Sequence, residues 1–449
     1  MPEAAGEEPR NGHIVTFYSY RGGTGQSMAL ANVAWILAAN GYRVLAADWD
    51  LESPGLHRFF APFLDLSAVN DASGVIDLVR DYEWAAKASG DDERRRVHIA
   101  AHSRFQKYVI PLKRWAFSGD GRLEFLSAGR QNRDYLATLS NLDWDNFYHE
   151  LGGGEFIDAI RAEMRRHYDY TLIDSRTGLS DVADVCTVHL PHILVDCFTL
   201  SSQGIDGAAQ VAQRVGDEYG WRGIRVLPVP MRVDESEKER VDAGRVYAEW
   251  RFDNLPAGMA DSQRREYWSN VEVPYRAYYA YEEMLAVFGD KPGVLGSLLS
   301  AYERITGYIT DGKVTSLPPI DEDQRNRTRI LFERKLPPES RQIVIEFLPD
   351  DQIWAEWIGA VLAAGDFVVR ERRLDEADGD GDAEDDERGS WRRLTVASAA
   401  YLAWRRGGGS RARSTSRSSR SMASASSRTP TSDVRAIAMI SGAERPPAT

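Results

Sequence analysis

The chain of 449 residues has little that points to a secreted, disulfide-bonded or membrane-spanning protein. It contains two cysteines, Cys186 and Cys197, which are too few for a disulfide framework, and no histidine lies at the spacing of a zinc site. The longest apolar stretch, Met28–Ala39, contains Asn32 and is too short to cross a bilayer. The first residues are acidic and lack the apolar core of a signal peptide. We therefore expect a cytoplasmic protein without a membrane span.

Positive charge is also in short supply. The sequence has 55 Lys and Arg against 68 Asp and Glu, which gives a formal net charge of −13. This balance argues against a specific nucleic-acid partner. Hydrophobic residues make up 43% and charged residues 27%, as in folded globular proteins. The length favours two or three domains.

The N-terminal part has the pattern of a strand, a glycine loop, a helix and a second strand. Ile14–Tyr20 and Arg43–Asp48 are rich in β-branched and apolar residues, and Ser27–Asn40 is a run of Ala, Leu and Val. This βαβ unit predicts an α/β fold with a mostly parallel sheet and helices on both faces. Further strands are predicted at Leu123–Leu126, Tyr170–Ile173, Ile193–Phe198 and Arg225–Pro228, with helices at Glu155–His167 and Gly207–Tyr219.

Shifts in composition predict the domain organisation. An α/β domain over residues 13–310 follows a disordered leader, 1–12, and precedes a linker, 311–338, that contains Pro318 and Pro319. A second, shorter α/β pattern occupies 339–406, and the Ser/Arg-rich tail, 407–449, is expected to be disordered. The elements predicted in the second pattern are a strand at Ile343–Phe347, a helix at Asp351–Ala364, a strand at Asp366–Arg370 and an apolar stretch at Leu394–Leu402.

The glycine loop has the sequence YRGGTGQS, from Tyr20 to Ser27, and it connects a strand to a helix. Glycines allow backbone N–H groups to turn inward and approach phosphate oxygens, and a helix N-terminus adds partial positive charge. Ser27 stands where a hydroxyl ligates Mg²⁺ in phosphate-binding loops. The loop therefore predicts a polyphosphate site. A glycine turn without a ligand is the alternative.

Acidic residues follow two of the predicted strands. Asp48 and Asp50 come after the second strand, and Asp174 ends the apolar strand that begins at Tyr170. Arg176 and Gly178 follow it directly. Carboxylates at strand ends near a phosphate loop are suited to holding Mg²⁺ and orienting water. For Asp48 and Asp50, the alternative is a strand end with solvated carboxylates.

Several segments together resemble the MinD/ParA/CobQ class of P-loop ATPases, whose phosphate loop has the pattern KGGxGK[ST]. Within that class they resemble the KGGVGR-motif variant ATPases of actinobacteria, and more narrowly the N-terminal part of the tetratricopeptide-repeat protein of the FxSxx-COOH peptide system. The resemblance covers about residues 13–316. It rests on FYSYRGGTGQSMALANVAWILAANG, DWDLESPGLHRFF, LIDSRTGLSD, VDCFTL and VPYRAYYAYEEMLAVFGD.

The chain departs from the pattern of this class at two positions. Arg21 stands in place of the signature lysine, which in the class reaches across a dimer to the nucleotide of the partner. Gln26 stands in place of the P-loop lysine, where the variant group usually has arginine. Gln26 is neutral, so the loss of a charge-assisted hydrogen bond is expected to weaken binding or slow hydrolysis by roughly one to two orders of magnitude. Arg176 is a candidate to replace the missing charge.

The resemblance implies a SIMIBI-type P-loop NTPase fold that uses ATP and Mg²⁺, and it implies roles for individual residues. Asp50 would orient the attacking water, Arg21 would act across the dimer, and Ser27, Asp48 and Asp174 would hold or support Mg²⁺. The backbone of Gly178 would sense the terminal phosphate, and Pro230 and Arg232 would lie near the base. The residues expected to bind the nucleotide are Arg21, Gly22, Gly23, Thr24, Gly25, Gln26, Ser27, Met28, Gly178, Pro230 and Arg232.

Two hypotheses for the function remain open. The first is a slow ATPase that acts as a nucleotide-dependent dimer switch in a regulatory or signalling system, with a truncated TIR-like domain at 339–406 that contacts a protein partner. The second is a degenerate nucleotide-binding scaffold with little or no hydrolysis, which Gln26 favours. An amidoligase is disfavoured because no amidotransferase domain with a reactive cysteine is evident, and a tyrosine kinase because the tail has no tyrosine. The preference for ATP over GTP comes from the resemblance alone.

Overall fold

The computed structural model describes residues 11–65, 69, 72–88, 92–133, 135–332, 342–347, 349–364, 367–373 and 392–395. The chain divides into two units, one up to residue 333 and the other from residue 334 onward. Residues 1–10 of the predicted leader, residues 396–406 and the whole predicted tail lie outside the described residues.

A seven-stranded sheet organises the first unit, and all of its strands except one are parallel. The strand order is β3-β4-β2-β5-β1-β6-β7, with only β3 antiparallel to its neighbour. This confirms the predicted α/β fold with a mostly parallel sheet. The strands are β1 His13–Tyr18, β2 Arg43–Trp49, β3 Val109–Pro111, β4 Arg122–Leu126, β5 Tyr170–Ser175, β6 Ile193–Phe198 and β7 Arg225–Pro230.

Helices connect these strands. The α-helices of the first unit are Gln26–Ala39, Val75–Lys87, Asp92–His102, Tyr135–Ser140, Trp144–His149, Gly153–His167, Asp181–Asp184, Ser202–Tyr219, Lys238–Phe252, Asp261–Asn270, Ala277–Tyr281, Ala286–Gly289, Leu298–Ile309 and Glu322–Phe332. Single-turn or 3₁₀ segments are Leu56–Phe63, Phe105–Tyr108, Gly220–Arg222 and Glu235–Glu237, and Val185–His189 is a π-helical turn. In the part of the chain described here, no helix combines the length and apolarity needed to cross a bilayer.

Helices cover both faces of the sheet, as the burial along β2 indicates. Val44 and Ala46 belong to one apolar cluster and Leu45 and Ala47 to another. Since successive side chains of a strand point to opposite faces, each cluster fills the space between one face and its helices. All four residues are fully buried. A central parallel sheet buried on both faces is the expected reason for these continuous apolar runs.

The first helix, Gln26–Ala39, is buried on nearly all sides. Asn32 lies within it and is fully buried, which is tolerated because its amide donates to the Met28 carbonyl and its oxygen accepts the N–H of Val287. Trp35 packs against the rings of Phe63 and Phe288 at 4.6 and 5.0 Å between centroids. The helix therefore anchors the glycine loop rigidly to the core.

The observed elements extend several of the predicted ones. The helix predicted from Gly207 begins at Ser202 because the hydroxyl of Ser201 caps it by accepting the N–H of Gly204. Strand β5 continues to Ser175 because it pairs with Trp49 of β2. Residues 322–332, which fall within the predicted linker, form a helix of the first unit, with the ring of Phe332 6.0 Å from that of Phe288.

The second unit contains a three-stranded parallel sheet with the order β10-β8-β9. These strands are β8 Gln342–Phe347, β9 Val368–Arg373 and β10 Arg392–Thr395, with a helix at Gln352–Ala364 after a short turn at Pro349–Asp351. Ile345 and Phe347 of β8 pack with Ile358 of the helix in a small core. The predicted elements at 343–347 and 351–364 match the observed ones closely.

Asp196 is an acidic residue in the middle of the buried strand β6. It is fully buried, and neither carboxylate oxygen has a hydrogen-bond partner among the described residues. Burial raises its pKa well above the usual value. The acid form is therefore favoured in the folded chain, and ionisation at higher pH opposes folding.

Asp196→Asn removes this ionisation and should change how stability depends on pH. The pKa of Asp196 is higher in the folded state than in the unfolded state. The wild type is therefore most stable, with respect to this group, below about pH 4, and it loses stability as pH rises. The free energy of unfolding of the variant minus that of the wild type should rise by about 1.4 kcal/mol per pH unit above pH 4, until the folded pKa is reached. Denaturant unfolding at pH 4 to 8 measures this difference, and a flat difference would contradict the assignment.

Candidate functional site

The residues predicted as a site converge at the carboxyl edge of the first sheet. The glycine loop follows β1, and Asp174 near the end of β5 pairs in register with Phe17 of β1 and with Asp48 of β2. Arg232 lies just beyond β7 and reaches the loop. Because the carboxyl ends of parallel strands meet at one edge, the fold brings together segments that are up to about 200 residues apart.

The glycine loop has the backbone shape of a donor cradle. Gly23 and Gly25 adopt φ of 78° and 97°, a left-handed conformation that residues with a Cβ rarely take. The helical hydrogen bonds begin with Ala29, whose N–H donates to the Gly25 carbonyl at 3.0 Å. The N–H groups of the residues just before Ala29 thus precede the helical pattern. A Cβ placed on Gly22 or Gly23 would meet no atom within 4 Å, so the loop borders open space.

Thr24 adds an unsatisfied hydroxyl to this cradle. The residue is only 4% exposed, and its Oγ1 has no hydrogen-bond partner in the described ranges. Buried polar atoms in folded proteins are nearly always paired. An unpaired hydroxyl within a loop of backbone donors fits a site whose ligand supplies oxygen acceptors.

Gln26 ties the loop to the end of β5. Its Nε2 donates to Asp174 Oδ1 at 3.0 Å and to the Ser175 carbonyl at 2.5 Å, and its Oε1 accepts the hydroxyl of Ser19. The side chain is buried. The side-chain amide of Gln26 thus uses its nitrogen and its oxygen in hydrogen bonds to neighbouring residues, and its nitrogen points to a carboxylate and not to open space.

Asp174 carries a strongly perturbed carboxyl. Burial raises its pKa to about 7, and hydrogen bonds from Ser27 and Gln26 act in the opposite direction. The Ser27 hydroxyl therefore lies next to this carboxylate. A hydroxyl and a buried carboxylate are the oxygen ligands that Mg²⁺ prefers when phosphate oxygens complete its shell.

Asp48 shapes the segment that follows β2. Its Oδ1 accepts the N–H of Asp50 and its Oδ2 accepts those of Gly55 and Leu56, each at 3.2 Å. Burial, together with the nearby charge of Asp174, raises its pKa well above the usual value. Asp48 is fully buried, which contradicts the alternative of a solvated carboxylate at this position. Asp174 is nearly fully buried as well.

Asp50 lies within the turn after β2. Its Oδ1 accepts the N–H of Ser53 at 3.1 Å. Burial raises its pKa, while the Ser53 N–H and the charge of Arg176 oppose the rise. Arg176 itself forms an ion pair with Glu52, with 2.5 Å between Nη2 and Oε2. This ion pair links the segment after β2 to the segment after β5.

Gly178 is hydrogen-bonded to the residues at the end of β1, just before the glycine loop. Its N–H donates to the Ser19 carbonyl at 3.3 Å, and its carbonyl accepts the hydroxyl of Tyr18. Gly178 also adopts a left-handed backbone, with φ of 78°. For its N–H to contact a phosphate, as the resemblance implies, the bond to Ser19 has to break.

Two arginines border the open side of the loop. Arg21 is exposed, and its Nη1 donates to Gln203 Oε1 at 2.7 Å. Arg232 donates from Nη1 to the Gly23 carbonyl at 2.7 Å, and its guanidinium lies 4.9 Å from the ring centroid of Tyr275. Pro230, the other residue predicted near the base, ends β7, and its carbonyl accepts the N–H of Val273.

Four residues of the site escaped the sequence reasoning: Ser19, Glu52, Gln203 and Tyr275. Gln203 follows β6 at the same edge, so the argument from strand ends that located Asp174 applies to it equally. Ser19 and Tyr275 lie inside segments that carry the family resemblance, but a single sequence does not reveal that their side chains point to Gln26 and Arg232.

The residues present fit magnesium only together with a phosphate ligand. Across the described ranges, no group of three or more His, Cys, Asp or Glu side chains could hold a metal ion by itself. Mg²⁺ commonly takes one or two protein oxygens, several waters and the oxygens of a bound polyphosphate. Ser27 and Asp174 supply such protein oxygens beside the loop.

Comparisons with known proteins found similar structures but no family model and no curated protein that matches. The chain is similar to the cell-division ATPase MinD of Pyrococcus furiosus, with 16% identity and a TM-score of 0.42 over 67% of this chain and 99% of that one. It is also similar to MinD of Pyrococcus horikoshii complexed with Mg-ADP, with 16% identity and a TM-score of 0.38 over 67% and 98%.

A third similar structure is the ATP complex of the D38A variant of McdA from Cyanothece. The identity is 12% and the TM-score 0.40, over 73% of this chain and the whole of that chain. At these levels of identity and TM-score, the similarity concerns the backbone fold alone.

Gln26→Leu tests the connection between the loop and β5. The apolar side chain leaves the Asp174 carboxylate, the Ser175 carbonyl and the Ser19 hydroxyl without their shared partner, so the free energy of unfolding should fall by about 1–3 kcal/mol. Chemical denaturation without nucleotide measures the change. Gln203→Leu is the matched control, because among the described residues this exposed amide bonds only to the exposed Arg21. Its free energy of unfolding should stay within about 0.5 kcal/mol of the wild type. Equal losses in the two variants would contradict the assignment.

Proposed function

We propose that the first unit binds a nucleoside triphosphate with Mg²⁺ in the glycine loop and acts as a nucleotide-dependent switch. The observation that carries this proposal is the loop between β1 and the first helix. Two left-handed glycines, a helix N-terminus and a Thr24 hydroxyl that has no hydrogen-bond partner among the described residues border open space there. These donors suit the oxygens of a polyphosphate.

The acidic side of the site supports a triphosphate with its metal. Bound magnesium would neutralise phosphate charge, and the residues that hold it in this proposal are Ser27 and Asp174, with Asp48 supporting the shell. Asp48 also fixes the turn that carries Asp50. Asp50 is the residue that orients the attacking water. The water oxygen forms a bond to the terminal phosphorus while the bond from that phosphorus to the bridging oxygen breaks, which gives a nucleoside diphosphate and phosphate and releases the proton of the water to solvent.

The second candidate function is a scaffold that binds the nucleotide with little or no hydrolysis. Gln26 favours the scaffold, because its neutral amide donates to Asp174 and Ser175 and supplies no positive charge to a terminal phosphate. Both functions share the binding step and differ only in turnover. We place a slow ATPase first because Asp50 and Asp174 are both held near the loop.

Calorimetric titration tests the binding step. Mg-ATP and Mg-GTP are titrated separately into the whole chain, and saturable heat is expected for at least one. Ser27→Ala should lower the affinity in the presence of Mg²⁺ and leave binding without Mg²⁺ almost unchanged, because it removes a metal ligand and no phosphate donor. Equal affinity losses with and without Mg²⁺ would contradict the role of Ser27.

Phosphate release separates the two candidate functions. The wild-type chain and a double variant, Ser27→Ala with Asp174→Ala, are compared at saturating nucleotide. Release by the wild type above the background of the double variant supports an ATPase. Equal rates, with binding intact, favour the scaffold.

The proposed switch is a nucleotide-dependent homodimer, and Arg21 is its testable residue. Arg21 is exposed at the mouth of the loop, and among the described residues it bonds only to the neutral amide of Gln203, so its charge is available to a second chain. Light scattering should detect a dimer with Mg-ATP and a monomer without it. Arg21→Ala should abolish the dimer and keep nucleotide affinity within a few-fold. A variant that still dimerises would contradict the role across the interface.

In the same proposal, the second unit contacts a protein partner and belongs to the TIR-like class. Support comes from its parallel three-stranded sheet and the helix at 352–364, which match the elements predicted there. The nucleotide state of the first unit would then control when the partner binds.

A further inference from the structure

The proposed nucleotide site lacks the positive charge that usually neutralises its phosphates. Gln26 occupies the position of the P-loop lysine, and its amide is already committed to Asp174 and Ser175. Asp48, Asp50 and Asp174 at the same edge supply no positive charge. A polyphosphate bound here therefore needs a cation from the protein as well as magnesium.

Among the residues that the structure describes, Arg21, Arg176 and Arg232 are the candidates at this edge of the sheet, and their partners differ. Arg176 is paired with the carboxylate of Glu52 at 2.5 Å, so its charge is already compensated. Arg21 extends from the exposed start of the loop to Gln203. Arg232 bonds to the loop itself, with 2.7 Å between its Nη1 and the Gly23 carbonyl.

Arg232 is held in place by an unusual backbone and by an aromatic ring. Its φ is 55°, a left-handed value that is uncommon for a residue with a side chain and that often marks functional sites. The guanidinium lies 4.9 Å from the centre of the Tyr275 ring. The preceding residue, Met231, brings its Cε to 3.5 Å from the position of a Cβ on Gly25. The segment after β7 thus lies directly against the glycine loop.

Within the part of the chain that the structure describes, Arg232 contacts a carbonyl and an aromatic ring, and both are neutral. A guanidinium stays protonated and carries five N–H donors, of which the Gly23 carbonyl uses one. Among the described residues, the guanidinium makes no other hydrogen bond, and the Gly23 carbonyl that it contacts directly precedes Thr24 and Gly25 in the loop. The position therefore combines full positive charge, free donors and contact with the phosphate-binding backbone.

We propose that Arg232 supplies, within the same chain, the phosphate-neutralising charge that Gln26 lacks. This inference rests on the proposed nucleotide site and changes the role of Arg232 from base contact to phosphate contact. It also assigns the compensation to the segment after β7 and not to Arg176. Tyr275 acts as a positioning residue that keeps the guanidinium over the loop.

The first experiment measures affinity against the number of phosphates. Calorimetry with Mg-ATP, Mg-ADP and adenosine is carried out on the wild type and on Arg232→Ala. Loss of a charge-assisted contact should weaken Mg-ATP binding by about ten- to a hundredfold, Mg-ADP binding by less, and adenosine binding by less than about twofold. An equal loss for all three ligands would mean that Arg232 contacts the base, and it would overturn the proposal.

The second experiment is a rescue at position 26. Gln26→Lys restores a charge in the loop, so the double variant Arg232→Ala with Gln26→Lys should recover Mg-ATP affinity to within about threefold of the wild type. Failure of the lysine to rescue, while Gln26→Lys alone binds at least as tightly as the wild type, would overturn the proposal. Arg232 would then have only a structural role, the support of the loop through its hydrogen bond to the Gly23 carbonyl.

Arg222→Ala is the matched control for both experiments. Arg222 also stacks on an aromatic ring, 4.9 Å from the centroid of Trp221, and donates to a backbone carbonyl, that of His189, at 2.8 Å. It precedes β7 and lies at the opposite edge of the sheet, so its loss should leave Mg-ATP affinity unchanged. Thermal unfolding without nucleotide checks that both alanine variants fold like the wild type.

The outcomes separate this inference from the proposed function. If the wild type binds neither Mg-ATP nor Mg-GTP, the nucleotide site itself is refuted, and the role of Arg232 with it. If the wild type binds and Arg232→Ala binds equally well, only the role of Arg232 is refuted. Arg176→Ala then identifies whether the residue paired with Glu52 supplies the charge instead.

Discussion

The contact between Gln26 and the end of β5 is the interaction on which the site depends. One buried amide joins the first turn of the helix to Asp174 and Ser175 and accepts the hydroxyl of Ser19. This contact holds the glycine loop beside the carboxylates without a charge of its own. A lysine at this position would pair with the carboxylate or with a phosphate, whereas glutamine satisfies the carboxylate and leaves the phosphates to other groups.

The surrounding residues are arranged around this neutral centre. Asp48 uses its carboxylate to shape the turn that carries Asp50, and the ion pair of Arg176 with Glu52 connects the two acidic segments. Arg21 and Arg232 border the other side of the loop. Arg176 is thus paired with a carboxylate, whereas Arg21 and Arg232 donate to neutral groups, the Gln203 amide and the Gly23 carbonyl. Under the proposed function, these two guanidinium groups and Mg²⁺ would neutralise the phosphates.

Much of this could be predicted from the sequence because it depends on local patterns. The α/β fold follows from the glycine loop between an apolar strand and an apolar helix. The carboxylates after two further strands indicate that the site lies at the carboxyl edge of the sheet. The edge strand β3 was missed because three residues carry too little periodicity. The bonds of Gln26 to Asp174 and of Arg232 to Gly23 span 148 and 209 positions, and they depend on strand order, which no local pattern encodes. Asp196 is fully buried without a hydrogen-bond partner among the described residues, although aspartate is almost never fully buried unless it is paired. Its sequence context gives no indication of this.

The most direct test of the account is a crystal structure of the chain with Mg²⁺ and a non-hydrolysable ATP analogue. The account predicts that the phosphates lie against the backbone of residues 22–28, with the metal between Ser27 and Asp174 and the guanidinium of Arg232 on a phosphate oxygen. A nucleotide bound elsewhere on the chain, or a loop without ligand at saturating analogue, would contradict it.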